Sequence, residues 1–262
     1  MSKLSVRNLT KSFENGDGSR TKVLDDISFD VKKGEFLSIL GPSGCGKTTL
    51  LKIVAGLIEA DSGEVLIDDE LVCTGHNKVG YIFQQESLFP WRTVRQNIEF
   101  GLQIQNKDPT VKKQLVDEML DLVGMREYQD SYPHEISGGQ ARKTEMARSL
   151  VTSPEILVSD EGFSNLDAQT RNYLQEEFLR VWQETSSTIV FVSHNVDEAV
   201  FMSDRILVLS NIPAKIIDEH EITIQRPRDR ASEACLSFRA KILDVLKVEQ
   251  RKAMEQASQD TH

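Results

Sequence analysis

The stretch GPSGCGKTT, Gly41–Thr49, limits what this chain can fold into more than any other. Gly41, Gly44 and Gly46 alternate with Pro42, Ser43 and Cys45 and lead straight into Lys47, Thr48 and Thr49. Glycines let a backbone turn through positive φ and approach a ligand without a Cβ in the way. The N–H groups of such a turn converge into an anion-binding nest, and a helix starting there adds partial positive charge. Lys47 is placed to reach the β- and γ-phosphates of a nucleotide, and the Thr48 hydroxyl to ligate Mg²⁺. The flanks fit, because Glu35–Leu40 (EFLSIL) reads as a buried strand and Thr48–Ala55 as a helix. The stretch therefore predicts an α/β fold with a nucleotide phosphate site.

Composition narrows the class. The 262 residues are 39% hydrophobic and 27% charged, ordinary for a globular chain of one or two domains. No apolar run reaches transmembrane length, and the alternating N-terminus MSKLSVRNLTKSF reads as a strand rather than a signal peptide, which predicts a cytoplasmic protein. A net charge of −10 disfavours nucleic acid or anionic lipid as the main partner, though not a membrane protein. Cys45, Cys73 and Cys235 are an odd set without metal-like spacing. Cys45 reads as a small filler of the phosphate loop with no redox role.

The entry region is β-rich. Leu4, Val6 and Leu9 alternate, Val23–Leu24 and Ile27–Val31 read as two further strands, and Phe13 is equally a core aromatic or a platform for a base. Short strands resume around Glu64–Ile67 and at Val79–Phe83, which ends in Gln84 and Gln85. Helical spacing then takes over, with Val94, Ile98 and Leu102 in one segment and Leu115, Met119, Leu120 and Val123 in the next. Thr110 is the expected N-cap of the second helix and Gly124 its stop. ISGGQ, Ile136–Gln140, opens a helix running to about Leu150, a second anion-binding arrangement. Ile156–Glu161 (ILVSDE) is a strand ending in two carboxylates, the first suited to Mg²⁺, the second to activating water against a γ-phosphate. A helix over Asp167–Glu184 follows, then a strand ending at Ser193 and His194, two more strands, and an amphipathic helix over about Ala231–Gln250.

In this order the pieces resemble the nucleotide-binding subunit of an ABC transporter over essentially the whole chain. Gly41–Thr48 resembles the Walker A loop, Gln84 the Q-loop glutamine, and ISGGQ the LSGGQ signature with one conservative change at Ile136. Ile156–Glu161 is similar to Walker B with its catalytic acid, Ser164–Asp167 (SNLD) to the D-loop, and His194 to the switch histidine. Phe13 takes the place of the aromatic that stacks on adenine. FPWRTVRQNI at Phe89–Ile98, and RPRDR at Arg226–Arg230 followed by Phe238, Ile242 and Leu246, look like the nitrate, sulfonate and taurine importers.

The resemblance implies a P-loop NTPase (RecA-like) core with an N-terminal antiparallel β region and an inserted helical subdomain. The expected division is a nucleotide-binding domain over 1–230, its helical subdomain at about 87–150, and a C-terminal helix and polar tail over 231–262. Two subunits, identical or similar, would sandwich ATP head to tail. Glu161 and His194 would be catalytic, and Thr48, Gln84 and Asp160 would meet Mg²⁺. The phosphate loop, Phe13, Gln84 and Asp167 would bind nucleotide, as would Ser137, Gly138, Gly139 and Gln140 from the opposite subunit. The partners implied are integral membrane permease subunits and, indirectly, an extracytoplasmic solute-binding protein, with the ATPase peripheral on the inner membrane face. A coupling helix of the permease would dock near Phe89–Thr93. The alternatives are a weakly active nucleotide-binding regulator, a non-transport ABC ATPase, or an exporter subunit.

Five positions depart from the family pattern. Ser159 puts a hydroxyl in a buried strand and needs a hydrogen-bond partner. Gly162 replaces a proline, so the loop carrying Glu161 is expected to be less restrained. Thr144 and Glu145 stand at usually apolar positions of the signature helix, and a local ion pair of Glu145 with Arg142 or Arg148 is the simplest account. Asn195 replaces the aspartate that usually follows the histidine.

Overall fold

The computed structural model describes residues 2–76, 78–164 and 166–259, so Asn165 of the SNLD segment and residues 260–262 of the polar tail lie outside the described residues. The first strands are β1 (Ser2–Glu14), β2 (Arg20–Lys32) and β3 (Phe36–Leu40), followed by α1 (Lys47–Val54), β4 (Ser62–Ile67) and β5 (Glu70–Leu71). Next come β6 (Val79–Ile82), α2 (Val94–Ile104), α3 (Pro109–Leu122), α4 (Gly138–Leu150), β7 (Ile156–Asp160) and α5 (Ala168–Thr185). The chain ends with β8 (Thr188–Val192), α6 (Val196–Met202), β9 (Arg205–Leu209), β10 (Ile216–Glu221) and α7 (Glu233–Gln259). They form two compact units, one of Met1–His76 with Thr188–His262, the other of Asn77–Ser187.

The first unit holds an antiparallel sheet in the order β2–β1–β4–β5 and a second set of strands in the order β10–β9–β3–β8. β3 pairs in parallel with both β8 and β9, while β10 closes the edge antiparallel. Every residue of β3 (FLSIL) and β8 (TIVFV) is buried, as expected for parallel strands covered on both faces. The one hydroxyl within β3, on Ser38, is paired with that of Ser203. Arg20–Lys32 is a single strand, not the two read from sequence. Asp26 at φ 57° and shifts of register against β1 absorb the break in the apolar pattern as bulges, which the alternation alone does not distinguish from a turn.

The C-terminal helix extends past the expected Gln250 and starts at Glu233. It lays Cys235 and Ile242, with Phe238 and Leu246, against Val196, Ala199 and Val200 of α6 and the strands beneath. The RPRDR segment secures this packing. Arg228, buried, donates to the carbonyls of Val200 (2.8 Å), Phe201 (3.2 Å) and Ser203 (2.6 Å), so a cation sits at the negative end of α6. Arg226 pairs with Asp204 and donates to the Met202 carbonyl at 2.5 Å, and the Arg230 guanidinium lies 3.5 Å from the centre of the Phe201 ring.

In the second unit β6 and β7 pair in parallel, and α2, α3 and α4 occupy most of Val94–Leu150, with loops and two short 3₁₀ turns between them. Asp108, not Thr110, caps α3: its carboxylate accepts from the N–H groups of Thr110 (2.8 Å) and Val111 (3.4 Å). Pro109, with no N–H and a fixed φ, occupies the first helical position and sets the cap two residues upstream of the expected one. Gly124 at φ 66° follows the helix, where a left-handed residue is needed. Asn97, fully buried, accepts from Phe89 N–H (2.8 Å) and donates to the carbonyls of Phe89, Arg92 and Thr93. That one amide fixes the FPWRT segment, leaving Trp91 70% exposed with Arg92 over the Phe89 and Phe100 rings.

Candidate nucleotide site

The phosphate loop is in the first unit, between β3 and α1. Gly46 at φ 109° is the N-cap of α1, and a Cβ there would lie 2.6 Å from Val23 Cγ1, so glycine is required twice over. At Gly41 a Cβ would meet Cys45 Sγ at 2.9 Å and Leu209 Cβ at 3.1 Å. Lys47 Nζ is held inside the loop by the carbonyls of Gly41 (2.9 Å) and Pro42 (2.8 Å), while the neighbouring Thr48 is exposed. Cys45 is buried, and burial pushes its thiol pKa up despite the Lys47 ammonium nearby, so it stays protonated and inert. Phe13, on β1, is 41% exposed with the Lys11 ammonium 5.4 Å from its ring centre. That position removes the core reading and leaves an open aromatic face.

His194 also belongs to the first unit, exposed at the end of β8. The turn that presents it is built by its neighbours. Ser193 Oγ donates to Glu198 at 2.7 Å and accepts from Asn195 N–H at 2.9 Å. Asn195 Oδ1 caps α6 through Asp197 N–H (2.9 Å) and Glu198 N–H (3.4 Å). The departure from aspartate therefore keeps the capping oxygen without adding a third carboxylate beside Asp197 and Glu198.

The second unit brings Gln84, Asp160 and Glu161 together. Gln84 Nε2 donates to Glu161 Oε2 at 2.9 Å, and Tyr81 OH donates to Asp160 Oδ2 at 3.2 Å. Burial and the Asp160 carboxylate push the Tyr81 phenol far above its ordinary pKa, keeping it a donor. Glu161 is at φ 48°, in the left-handed region that non-glycine residues avoid. A proline next in sequence would push residue 161 away from helical dihedrals towards extended ones. Gly162 removes that restriction. The loop is nonetheless packed, because Gly162 is buried and a Cβ on it would stand 2.5 Å from Ser159 Oγ. Ser159 and Gly162 line a small cavity of about 10 Å³ with Ile82, Met146 and Phe163, about the least that holds one water.

The signature segment of the second unit starts α4. Ser137 Oγ accepts from Gln140 N–H (3.3 Å) and Gln140 Oε1 from Ser137 N–H (2.9 Å), a capping box. A Cβ at Gly138 would meet nothing closer than 4.0 Å, and Gly138 lies outside the positive-φ region. Neither backbone conformation nor crowding within this chain requires glycine there. Asp167 caps α5 through the N–H groups of Gln169 and Thr170, both at 3.0 Å, and hydrogen bonding from the Thr170 side chain, then from these N–H groups, lowers its pKa. Glu145 pairs with Arg142 at 2.6 Å. Arg148, the other expected partner, donates instead to Ser87.

The ABC transporter family profile matches residues 24–164. The chain belongs to the ABC transporter family. As an ABC ATPase it is 46% identical over 97% of its length to an uncharacterized ABC transporter ATP-binding protein of Methanocaldococcus jannaschii, covering 94% of that protein. It is 42% identical to the aliphatic sulfonates import ATP-binding protein SsuB of Bacillus cereus, over 92% of this chain and 94% of that one. The taurine import ATP-binding protein TauB of Roseobacter denitrificans is 39% identical over 85% and 83% of the two chains. Among solved structures, a dimeric ATP-binding cassette in a post-hydrolysis state bound to ADP and Pi superposes with a TM-score of 0.72 at 26% identity, over 85% of this chain and all of that one.

Tyr81 has no signal of its own in the sequence, being one more apolar letter in a strand, because its bond to Asp160 joins residues 79 positions apart and short-range spacing does not carry it. Gly162 and Asn195 read only as departures until their contacts with Ser159 and with the start of α6 are seen.

Proposed function

We propose that this ABC ATPase drives the import of a small anion of the nitrate, sulfonate or taurine kind through a partner membrane permease, working as a dimer of ATP-binding subunits. The observation that carries the reading is the Glu161 carboxylate, held by Gln84 at the end of a Walker B strand. The names of the sulfonate and taurine import proteins favour the solute class. Among the described residues no helix is long and apolar enough to cross a membrane, so the transport path is assigned to another chain.

Each residue has a role in the reading. The phosphate-loop N–H groups and Lys47 bind the ATP phosphates, and Phe13 stacks on the base. Gln84 turns the Glu161 carboxylate towards the attacking water, which Glu161 polarises by accepting its proton. His194 donates to the γ-phosphate, and Asp167 lines the same nucleotide from the start of α5. Ser137, Gly138, Gly139 and Gln140 present donors to the γ-phosphate of ATP bound by the opposite subunit, completing the charge stabilisation on closure. The Thr48 hydroxyl, the Gln84 side-chain amide oxygen and the Asp160 carboxylate are hard oxygen donors of the kind Mg²⁺ takes. No cluster of three or more acidic, His or Cys ligands occurs among the described residues, which suits a cation bound largely through substrate phosphates. Mg²⁺ supplies charge neutralisation at the transferring phosphoryl group.

The exposed Trp91 and the Asn97-anchored FPWRT segment are the surface assigned to the permease. Glu161→Gln is expected to lower turnover by roughly 10²–10⁴-fold with ATP binding intact. Equal turnover in the two proteins rejects the assignment. Co-purification of a permease that loses association on Trp91→Ala tests the transport reading, and hydrolysis without any membrane partner in the cell favours the non-transport alternative.

A further inference from the structure

The Glu145 side chain is only 1% exposed, in the middle of the signature helix, at a position that is usually apolar in the family pattern. Its carboxylate is fully used. Oε1 accepts from Ser87 N–H at 2.5 Å and from Ser87 Oγ at 3.0 Å, and Oε2 accepts from Arg142 Nη1 at 2.6 Å. Arg142 extends the cluster, donating through Nη1 to the Phe83 carbonyl (2.8 Å) and through Nη2 to the Gln84 carbonyl (3.0 Å). Arg148 closes it from the next turn of α4, donating to Ser87 O (2.7 Å) and Ser87 Oγ (2.5 Å).

Six of these contacts join one helix to the five-residue segment 83–87, and the seventh, Arg142 to Glu145, braces them within α4. The other described hydrogen-bond anchor of the segment is Gln84 on Glu161. Backbone carbonyls and an N–H in an irregular segment would otherwise be satisfied by water and leave the segment free to change dihedrals. Burying a carboxylate and a guanidinium is worthwhile for stability only when every polar atom is met, and a well-packed apolar pair is often no worse. Stability alone therefore does not explain the pair. What the pair adds is a fixed position for the peptide that carries the Gln84 side chain.

From this geometry we infer that Glu145, acting through Arg142 and Ser87, is a positioning residue for Gln84 and sets the distance of its amide from Glu161. The inference rests on the ATPase reading for its effect on turnover, but not for its effect on the segment itself. Removing both partners together, in Arg142→Gln/Glu145→Ala, leaves neither ion of that pair without its counterion, and Arg148 keeps its bonds to Ser87. Circular dichroism of the variant checks that the unit is folded.

Two measurements test it. In hydrogen exchange on the purified full chain, the double variant is expected to speed exchange at the amides of residues 84–87 by about tenfold or more, the scale of one charge-assisted bond, with α4 still protected. Unchanged exchange at these amides overturns the inference whatever the enzyme does. In steady-state hydrolysis by the assembled dimer, kcat is expected to fall about tenfold with KM for ATP within twofold. The same double variant made on Gln84→Ala should then add no further loss, since the route through Gln84 is already cut. Losses that multiply in the combined protein overturn the inference. Glu161→Gln run alongside separates the two readings: if it leaves turnover unchanged the catalytic assignment fails, and the exchange result still decides the role of Glu145.

Discussion

At the scale of single residues, the loop after β7 shows how two departures from a family pattern can be one feature. Ser159 alone would be a misplaced hydroxyl and Gly162 a lost proline, yet a Cβ at 162 would lie 2.5 Å from Ser159 Oγ, so each restricts the other. Gly162→Ala is expected to destabilise the protein by about 1–3 kcal/mol through overpacking. Ser159→Ala should restore most of that loss, because the next nearest atoms to the added methyl are 3.9 Å away. Thermal unfolding of the two single variants and the double variant measures the coupling, and additive losses would refute it. Asn195 makes a second residue-scale case. Removing its capping oxygen in Asn195→Ala should cost about 1 kcal/mol and disturb the turn carrying His194, whereas Asn195→Ser should retain most of the stability in the same unfolding experiment.

At the scale of elements, the helices of the second unit are tied by charge as well as by apolar faces. Asp117 of α3 accepts from Arg95 of α2 at 2.5 Å and from Arg126, beyond the helix end, at 2.6 Å. These bonds, Arg95 first and then Arg126, hold the Asp117 carboxyl below its ordinary value. A lowered folded-state pKa gives stability that is complete above the unfolded value of about 3.9 and is lost as pH falls through the folded value. Asp117→Asn should therefore lower Tm at pH 7, with the gap from the parent narrowing below about pH 4. A gap that stays constant from pH 7 to pH 3 would show that the clamp does not act through charge. Both Asp108 and Thr110 are capping residue types, and only Pro109 between them, favoured in the first helical position, decides for Asp108.

At the scale of the whole molecule, the reading with most consequence is that one chain holds two halves of different sites. The backbone at Gly138 is uncrowded, with no atom closer than 4.0 Å to where a Cβ would stand, and the solved cassette this chain resembles is a dimer with ADP and Pi. If the site is shared, hydrolysis per subunit should rise with protein concentration until dimers dominate, while ATP binding through Lys47 persists in dilute monomer. Specific activity that stays constant down to dilute protein, with sedimentation showing monomers, would argue against sharing. A mixing experiment adds a second check. Ser137→Arg chains, defective in the signature, combined with Lys47→Ala chains, defective in the phosphate loop, should leave one intact composite site per mixed dimer and regain part of the activity.

Much of this was legible in the sequence, because the parts concerned are short and their physics is local. A Gly41–Thr49 loop between a buried strand and a helix dictates its own backbone, and a run of apolar residues ending in two acids dictates a strand edge with carboxylates. Their order along the chain was enough to name the family. Tertiary structure decided what depends on residues far apart meeting in a confined space. It turned Ser159 and Gly162 into a fitted pair, made Arg226, Arg228 and Arg230 a clasp on α6, and bound Glu145 to Ser87 across fifty-eight positions of sequence. A side chain's identity fixes which bonds it can make; only the packed fold fixes which partner is within reach, and burial makes leaving that bond unmade too costly.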